Sequence, residues 1–446
     1  MNRFKHLWSD LRSSLWFLPS SIVAGSMALA MALIEVDLSV GDNLLAKWPR
    51  LFGAGAAGGR GMLSTIAGSM MSVVGVTFSM TLVALAMASS QYTSRILRNF
   101  MSSRATQVVL GIFAGIFTYS LIVLRTIRAG DEGAFVPNLA VFFGFVLAVG
   151  GVGALIFFIH HIASSIQASS IIASVAQETI AAIDKLFPDD PAQGPGDGDD
   201  EQPLRPPSEQ KWRAVLAGES GYIQSVNSAA LVRLAGAENT IVWMDHGIGE
   251  FVVQNTALAS LALEEPPDQA MIDALQATFS ISRYRTVDGD AAFGVRQIVD
   301  IALKALSPGI NDTTTAVMCV DYLTAILARI APRQIPSSRR FEKGELRLIA
   351  KGPCFQSLLS DAFEQIRENA KGNLGVMLRM LGSVQTIASL TADPSRRQAL
   401  HEQMECLAEL AERTLESPHD RTRFESRLVQ VRETLNTGKV LSNHKQ

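Results

Sequence analysis

A chain of 446 residues with 48% hydrophobic side chains, 18% charged ones and a formal net charge of -3 is too apolar for a disordered chain or an ordinary water-soluble enzyme. The charge is uneven: residues 1–162 hold 11 Lys/Arg and 6 Asp/Glu, whereas residues 163–446 hold 28 and 36. A basic, apolar first third and an acidic remainder point to a membrane domain followed by a soluble one.

Backbone groups in hydrocarbon need internal partners, so a spanning segment is a helix of about 20 mostly apolar residues. Four windows without formal charge qualify: 22 residues between Arg12 and Glu35, 34 between Arg60 and Arg95, 20 between Arg104 and Arg125, and 27 between Glu132 and His160. The first begins like a secretory signal, with Arg3 and Lys5 ahead of it and a cleavage-like Ala28-Leu29-Ala30. Its long apolar core and the interfacial pair Trp16-Phe17 favour a retained span. Arg3, Lys5, Arg12, Arg95, Arg98 and Arg104 lie on one side, and Lys47, Arg50, Arg60, Arg125 and Arg128 on the other. Six against five places both termini in the cytoplasm.

The second window, helical throughout, would be about 51 Å long against a hydrocarbon core of about 30 Å, so it must tilt, break or project. Along it Ser64, Gly68, Ser72, Gly75, Ser79 and Ala86 recur at spacings of 4, 4, 3, 4 and 7, a single stripe of small and hydroxyl side chains. Small residues let helices approach closely in lipid, so a packing seam is the first reading and a polar lining for a water-filled path the alternative. Gly111 and Gly115 repeat the packing device in the third span. No Asp, Glu, Lys or Arg interrupts the four windows. That disfavours an ion-coupled pump and leaves a passive pore for ions or small solutes as the easier transport hypothesis. His160 and His161, at the fourth exit, point about 100° apart on a helix and suit interfacial side chains better than a metal site.

Residues 163–187 read as an amphipathic extension of the fourth helix, with Ile172, Val175, Ile180, Ile183 and Leu186 opposed by Ser164, Ser165, Ser170 and Ser174. Residues 188–210, with six prolines and seven acids between Pro188 and Glu209, have the composition of a disordered linker. Residues 211–265 read as a small α/β unit. It has β-rich runs at Tyr222–Val226, Thr240–Met244 and Phe251–Val253, a helix at Ala229–Ala235, and turn residues Asp245-His246-Gly247 and Gly249. Residues 266–440 read as a helical domain, starting at Pro267-Asp268 with Met271, Ile272, Leu275 and Phe279 on one face. Helices at Ala291–Leu306 and Thr313–Ile330 follow, then a strand at Leu346–Ala350. Four more helices come near Phe355–Ala370, Leu374–Leu390, Ser395–Leu415 and Asp420–Leu435. Cys319, Cys354 and Cys406 form no metal or redox motif, and no cofactor is expected. The expected fold is an α-helical polytopic membrane domain of four transmembrane helices followed by a mainly helical α/β soluble domain.

The densest group of unusual residues runs from Arg285 to Val317. Arg296 and Asp300 can pair four apart on a helix, Ser307-Pro308-Gly309 ends that helix, and Asp312 can cap the next. Every residue here has an architectural account. The functional alternative has Arg285, Asp290, Arg296, Asp300, Asn311 and Asp312 converging on a phosphate, metal or substrate. This segment, together with Phe78–Met101, Thr106–Leu124 and the His160-His161 exit, resembles a bacterial family of predicted integral membrane proteins, that of domain of unknown function 2254. The resemblance covers nearly the whole chain. It implies a membrane location and a shared scaffold, and carries over no catalytic residue, ligand or activity. Thr313 departs from it, standing where the family pattern leads one to expect proline.

With no P-loop, dinucleotide fingerprint, zinc motif or activated nucleophile, the balance leans against an enzyme. The acidic soluble half disfavours nucleic acid, which leaves the lipid bilayer and further copies of the chain as expected partners. A homo-oligomeric pore with a cytoplasmic regulatory domain ranks first, because four spans are too few to enclose a wide channel alone. A membrane-anchored sensor or scaffold ranks second, and a membrane-bound enzyme using the Arg285–Asp312 cluster third.

Overall fold

A computed structural model describes residues 16–40, 55–91, 104–128, 135–165, 167–187 and 211–437. The linker expected at 188–210 lies outside the described residues. The chain divides into two compact units, Met1–Ser170 and Ile171–Gln446.

The first unit holds four long helices: α1 (Phe17–Val40), α2 (Gly55–Gln91), α3 (Arg104–Thr126) and α4 (Asn138–Ser165). All four overrun their windows, since α1 takes in Glu35 and Asp37, α2 starts ahead of Arg60, α3 includes Arg104 and Arg125, and α4 runs past His160. The second helix does not break; its 37 residues form a rod of about 55 Å. Packed against α1, α2 and α4, the third helix is the central one. Its apolar window is 50% buried, against 6% for α1 and 17% for α2 and α4. Phe113, Ile116, Tyr119 and Val123 of α3 fill the interior with Leu63, Met70, Val141 and Phe158. The outside is apolar too: Met31, Phe78, Val83, Phe145, Ile156 and Phe157 are each at least half exposed. A continuous surface of this kind is an aggregation hazard in water and a fitting one against acyl chains.

Polar contacts tie the helices together where α1 and α3 end and α2 and α4 begin. The Asp37 carboxylate, in the last turn of α1, accepts from the N–H groups of Leu139 and Ala140 at 3.1 and 3.0 Å and so caps α4. Arg60 donates to the Ile127 carbonyl at 2.7 Å, and Tyr119 donates to the Ala140 carbonyl at 2.7 Å. Helix-end groups without an intrahelical partner need such protein partners wherever water is scarce.

The segment expected to prolong the fourth helix is a helix of its own, α5 (Ala168–Leu186), since α4 ends at Ser165. Ile172, Val175, Thr179 and Ile183 are its buried face. Its Asp184 holds Arg329 and Arg333, each at 2.8 Å.

Two sheets and a helical bundle follow. Strands β1 (Trp212–Leu216), β5 (Ala257–Ala262), β3 (Val242–Met244), β8 (Glu345–Ile349) and β7 (Arg339–Glu342) form one sheet in that order, with only β3 and β8 parallel. Strands β4 (Phe251–Val252), β2 (Gly221–Val226) and β6 (Phe279–Ser282) form the other, all antiparallel. Helix α6 (Ser228–Ala237) packs on the first sheet. The α/β unit expected at 211–265 therefore draws β6, β7 and β8 from beyond that boundary. Phe279 is a correction of the same kind: α7 (Gln269–Gln276) stops short of it, and Phe279 opens β6 instead.

The bundle comprises α8 (Ala291–Leu306), α9 (Thr313–Ile330), α10 (Phe355–Asn369), α11 (Leu374–Ala388), α12 (Pro394–Thr414) and α13 (Pro418–Thr437). Helix α8 packs on α9 and α10, α9 on α11, and α11 on α12 and α13. By length and composition α9 is also able to cross a membrane, which makes five such helices among the described residues rather than the four expected.

Candidate functional site

Two places carry the residues singled out by the sequence. The first is α2. Ser64, Gly68, Ser72, Gly75, Ser79 and Ala86 all lie on its exposed side, while Leu63, Ile66, Ala67, Met70, Thr77 and Ala84 form the side buried in the unit. A Cβ built on Gly68 or Gly75 would meet nothing within 4 Å. Among the described residues, then, the stripe is not a seam within the chain. The Ser72 hydroxyl donates back to the Gly68 carbonyl at 3.2 Å, which satisfies it without water. Gly111 and Gly115 behave in the opposite way. A Cβ on Gly111 would stand 2.8 Å from Ile22 Cδ1 and 3.0 Å from Pro19 Cα, and one on Gly115 would collide with the Ser26 hydroxyl. These two glycines set the distance between α1 and α3.

The second place is the polar segment 285–312, whose six candidates are strung along α8: Arg285 and Asp290 at its start, Arg296 and Asp300 in its middle, and Asn311 and Asp312 beyond its end. That helix has 16 residues, so its ends are about 24 Å apart. At the amino end, Asp290 caps α8 by accepting from the Phe293 N–H at 3.1 Å, and takes Arg285 at 2.7 Å. Asp290 is 6% exposed, and the Arg285 guanidinium lies 5.0 Å from the Phe293 ring centre. Gly249, at φ +84°, brings the β3–β4 turn against this pair so closely that any Cβ would strike the Asp290 carboxylate. In the middle of α8, Arg296 pairs with Asp300 at 2.8 Å. Asp361 of α10 feels Arg285, Arg296, Asp290 and Glu364 together. Crowding by protein, assisted by Asp290 and Glu364, outweighs the two guanidinium groups and raises its carboxyl pKa.

Asn311 and Asp312 belong to the other end. Asn311 adopts φ +49°, a left-handed conformation that asparagine tolerates, and turns the chain into α9. Asp312 caps α9, accepting from the Thr315 N–H at 3.0 Å and the Thr315 hydroxyl at 2.6 Å. Those bonds hold its carboxyl below the usual carboxylate range. Thr313, the departure from the family pattern, accepts a hydrogen bond from the Asn373 side chain at 2.8 Å, while Asn373 in turn caps α11. Proline could not make that link between helix starts. Cys319, buried beneath them, has its thiol pushed up to about 12, first by burial and then by Asp312.

Sequence reasoning missed Asp37, Asn373, Asp361 and Glu364. Asp37 sits just beyond the charge that closes the first window, and its partner is about a hundred residues away. Asp361 and Glu364 look like ordinary surface acids on an amphipathic helix. His246 holds Glu250 at 3.1 Å, and Lys351 holds the same carboxylate at 2.8 Å. His161 stacks on Phe157. Among the described residues no group of three or more His, Cys, Asp or Glu is placed to hold a metal ion.

Comparison with known proteins places the chain among membrane proteins. It is 32% identical over 428 residues to an uncharacterized protein of Mycobacterium bovis and, at the same identity, to one of Mycobacterium tuberculosis. Each alignment covers 94% of this chain and 80% of the relative. No solved structure matches. Residues 12–386 match the family described as predicted membrane protein, domain of unknown function 2254, and the chain belongs to that family.

Proposed function

We propose that the protein is a pore-forming subunit of the bacterial inner membrane. It assembles as a homo-oligomer through the open face of α2, passes ions or small solutes, and is regulated by its C-terminal unit. The observation that carries this reading is the outward stripe of α2, since small residues on a lipid-facing helix forfeit packing that a second helix, or water in a shared path, would supply. The hydroxyls along it can donate to their own backbone, so the stripe tolerates a helix neighbour and offers acceptor oxygens to water.

In this reading four helices span the membrane and α9 does not. The Asp321 and Arg329 side chains of α9 pair with Arg379 and Asp184, and its apolar side is covered by the bundle. Arg95, Arg98 and Arg104 with the basic amino end favour both termini in the cytoplasm.

The test is single-cysteine labelling at Ser64, Ser72 and Ser79 in a variant lacking Cys319, Cys354 and Cys406, followed by flux in proteoliposomes. Crosslinks between copies or labelling by a water-soluble thiol reagent, with flux lost in Ser72→Leu and Gly75→Leu, is the expected result. A monomer in lipid without flux overturns the proposal.

A further inference from the structure

The two faces of the sheet β4-β2-β6 differ in kind. Ile223, Val252 and Phe279 point into the core of the second unit. On the other face Tyr222 stands between Phe251 and Ser282, since residues directly opposite in paired strands share a face. The Tyr222 and Phe251 rings meet edge to face, with 5.0 Å between their centres. Val253 follows Phe251 on that face, as the buried Val252 between them requires, and Tyr284 follows Ser282. Phe251, Val253 and Tyr284 are each at least half exposed. Leu216 is nearly so, next to Ala217, whose backbone bonds Asn255 and Thr256. The other large apolar side chains exposed in this unit, Ile310, Phe341 and Val429, lie in three separate places.

A sheet face turned to water is ordinarily polar, whereas this one is aromatic and aliphatic. Tyr222, Phe251, Val253, Ser282 and Tyr284 carry no formal charge, in a stretch where 36 acids outnumber 28 bases. Glu250, next to Phe251, is held by Lys351 and His246. An exposed acid, Glu219, and an exposed cation, Arg283, flank the face and balance. The face is therefore a neutral part of an acidic unit, where an anionic lipid surface meets no repulsion. Rings among uncharged polar groups are the chemistry of the membrane–water boundary, with ring bodies against acyl chains and hydroxyls among headgroups. The unit also begins, at Ile171, just after Ser165 ends α4, a helix long and apolar enough to cross a membrane. So short a tether keeps the unit at high effective concentration beside the bilayer, where a few rings suffice for docking.

We propose that this face docks on the lipid surface, with Phe251, Val253 and Leu216 at the acyl boundary and the Tyr222 and Tyr284 hydroxyls among the headgroups. The proposal does not depend on the pore reading: it concerns the contact of the second unit with lipid, whether or not the first unit conducts.

The test is hydroxyl-radical footprinting of the full-length protein in nanodiscs of phosphatidylethanolamine and phosphatidylglycerol, one copy per disc. Phe251 and Phe341 are the same residue type, 50% and 58% exposed, so without lipid cover they oxidise at similar rates. Phe251 should oxidise at least about threefold more slowly than Phe341, as a ring sunk into the headgroup boundary would. Val253→Glu should bring Phe251 up to the Phe341 rate with an undiminished melting temperature, because the substituted side chain is at the surface and a charge there opposes docking. Equal rates in the wild type overturn the proposal. Protection that appears only with several copies per disc assigns the face to a second copy and overturns it too, as does protection that Val253→Glu leaves unchanged.

Discussion

The Cα of Pro19 on α1 lies 3.0 Å from the point where a Cβ on Gly111 of α3 would stand. Backbone cannot rotate out of the way as a side chain can, so this contact fixes how closely the first and third helices approach. Gly75 of α2 has the same residue type in the same kind of helix and faces open space. Gly111→Leu should therefore part α1 from α3 and lower stability by about 2 kcal/mol or more through overpacking. Gly75→Leu should leave the melting temperature of the isolated subunit unchanged. Thermal unfolding of both variants in detergent checks the contrast, and equal losses would refute it.

Asp37→Ala removes the cap of α4 and leaves the Leu139 and Ala140 N–H groups without their acceptor. A loss of about 1–2 kcal/mol is expected, with Asp37→Asn recovering most of it because the amide oxygen can still accept. The readout is the denaturation midpoint of the three proteins in the same detergent.

Asp290 combines a helix cap with a buried ion pair, so Asp290→Ala leaves the Arg285 charge uncompensated beside Phe293. The expected cost is about 3–5 kcal/mol. Gly249→Ala should be destabilising as well, since its methyl group would strike the same carboxylate. If Asp290→Ala folds with native stability, the pair has a role other than architecture.

Asp312 gives a pH dependence of definite sign. Its folded-state pKa is below the ordinary value of 3.8, with the Thr315 hydroxyl as the first cause and the Thr315 N–H as the second. Its contribution to stability is therefore complete above that ordinary value and is lost as pH falls through the depressed one. Wild type should lose stability relative to Asp312→Asn on acidification from pH 5 to pH 2, a range of about three units around the carboxylate values. Parallel acid titrations of the two proteins, followed by circular dichroism, would expose a wrong sign.

Asp361 has the opposite sign. Its carboxyl is raised, first by burial and then by Asp290 and Glu364 acting against Arg285 and Arg296. Ionisation thus costs stability as pH rises through the raised value, and Asp361→Asn should melt higher than wild type at neutral pH. The difference should vanish at a pH below about 3.9, where both states are protonated. A lower melting point for the variant at pH 7 would show that its two arginine neighbours dominate.

The sequence by itself determined what depends on local composition and period. Long uncharged windows gave the first four helices, since hydrocarbon tolerates little else. Period and capping residues gave α8 and α9 to the residue, with Asp268 and Asp312 at helix starts because a short polar side chain there bonds the first-turn N–H groups. The partners were decided only by the tertiary structure. Strand β5, Ala257–Ala262, has an alanine-rich sequence without strand character and becomes a strand because β1 and β3 flank it. The six polar candidates do not converge because a rigid helix holds Asp290 and Asp312 apart. The same four-residue spacing of small residues is a seam at Gly111 and Gly115 and an open face at Gly68 and Ser72. Spacing fixes only which side of a helix residues share, and which side finds a neighbour depends on how all the helices pack.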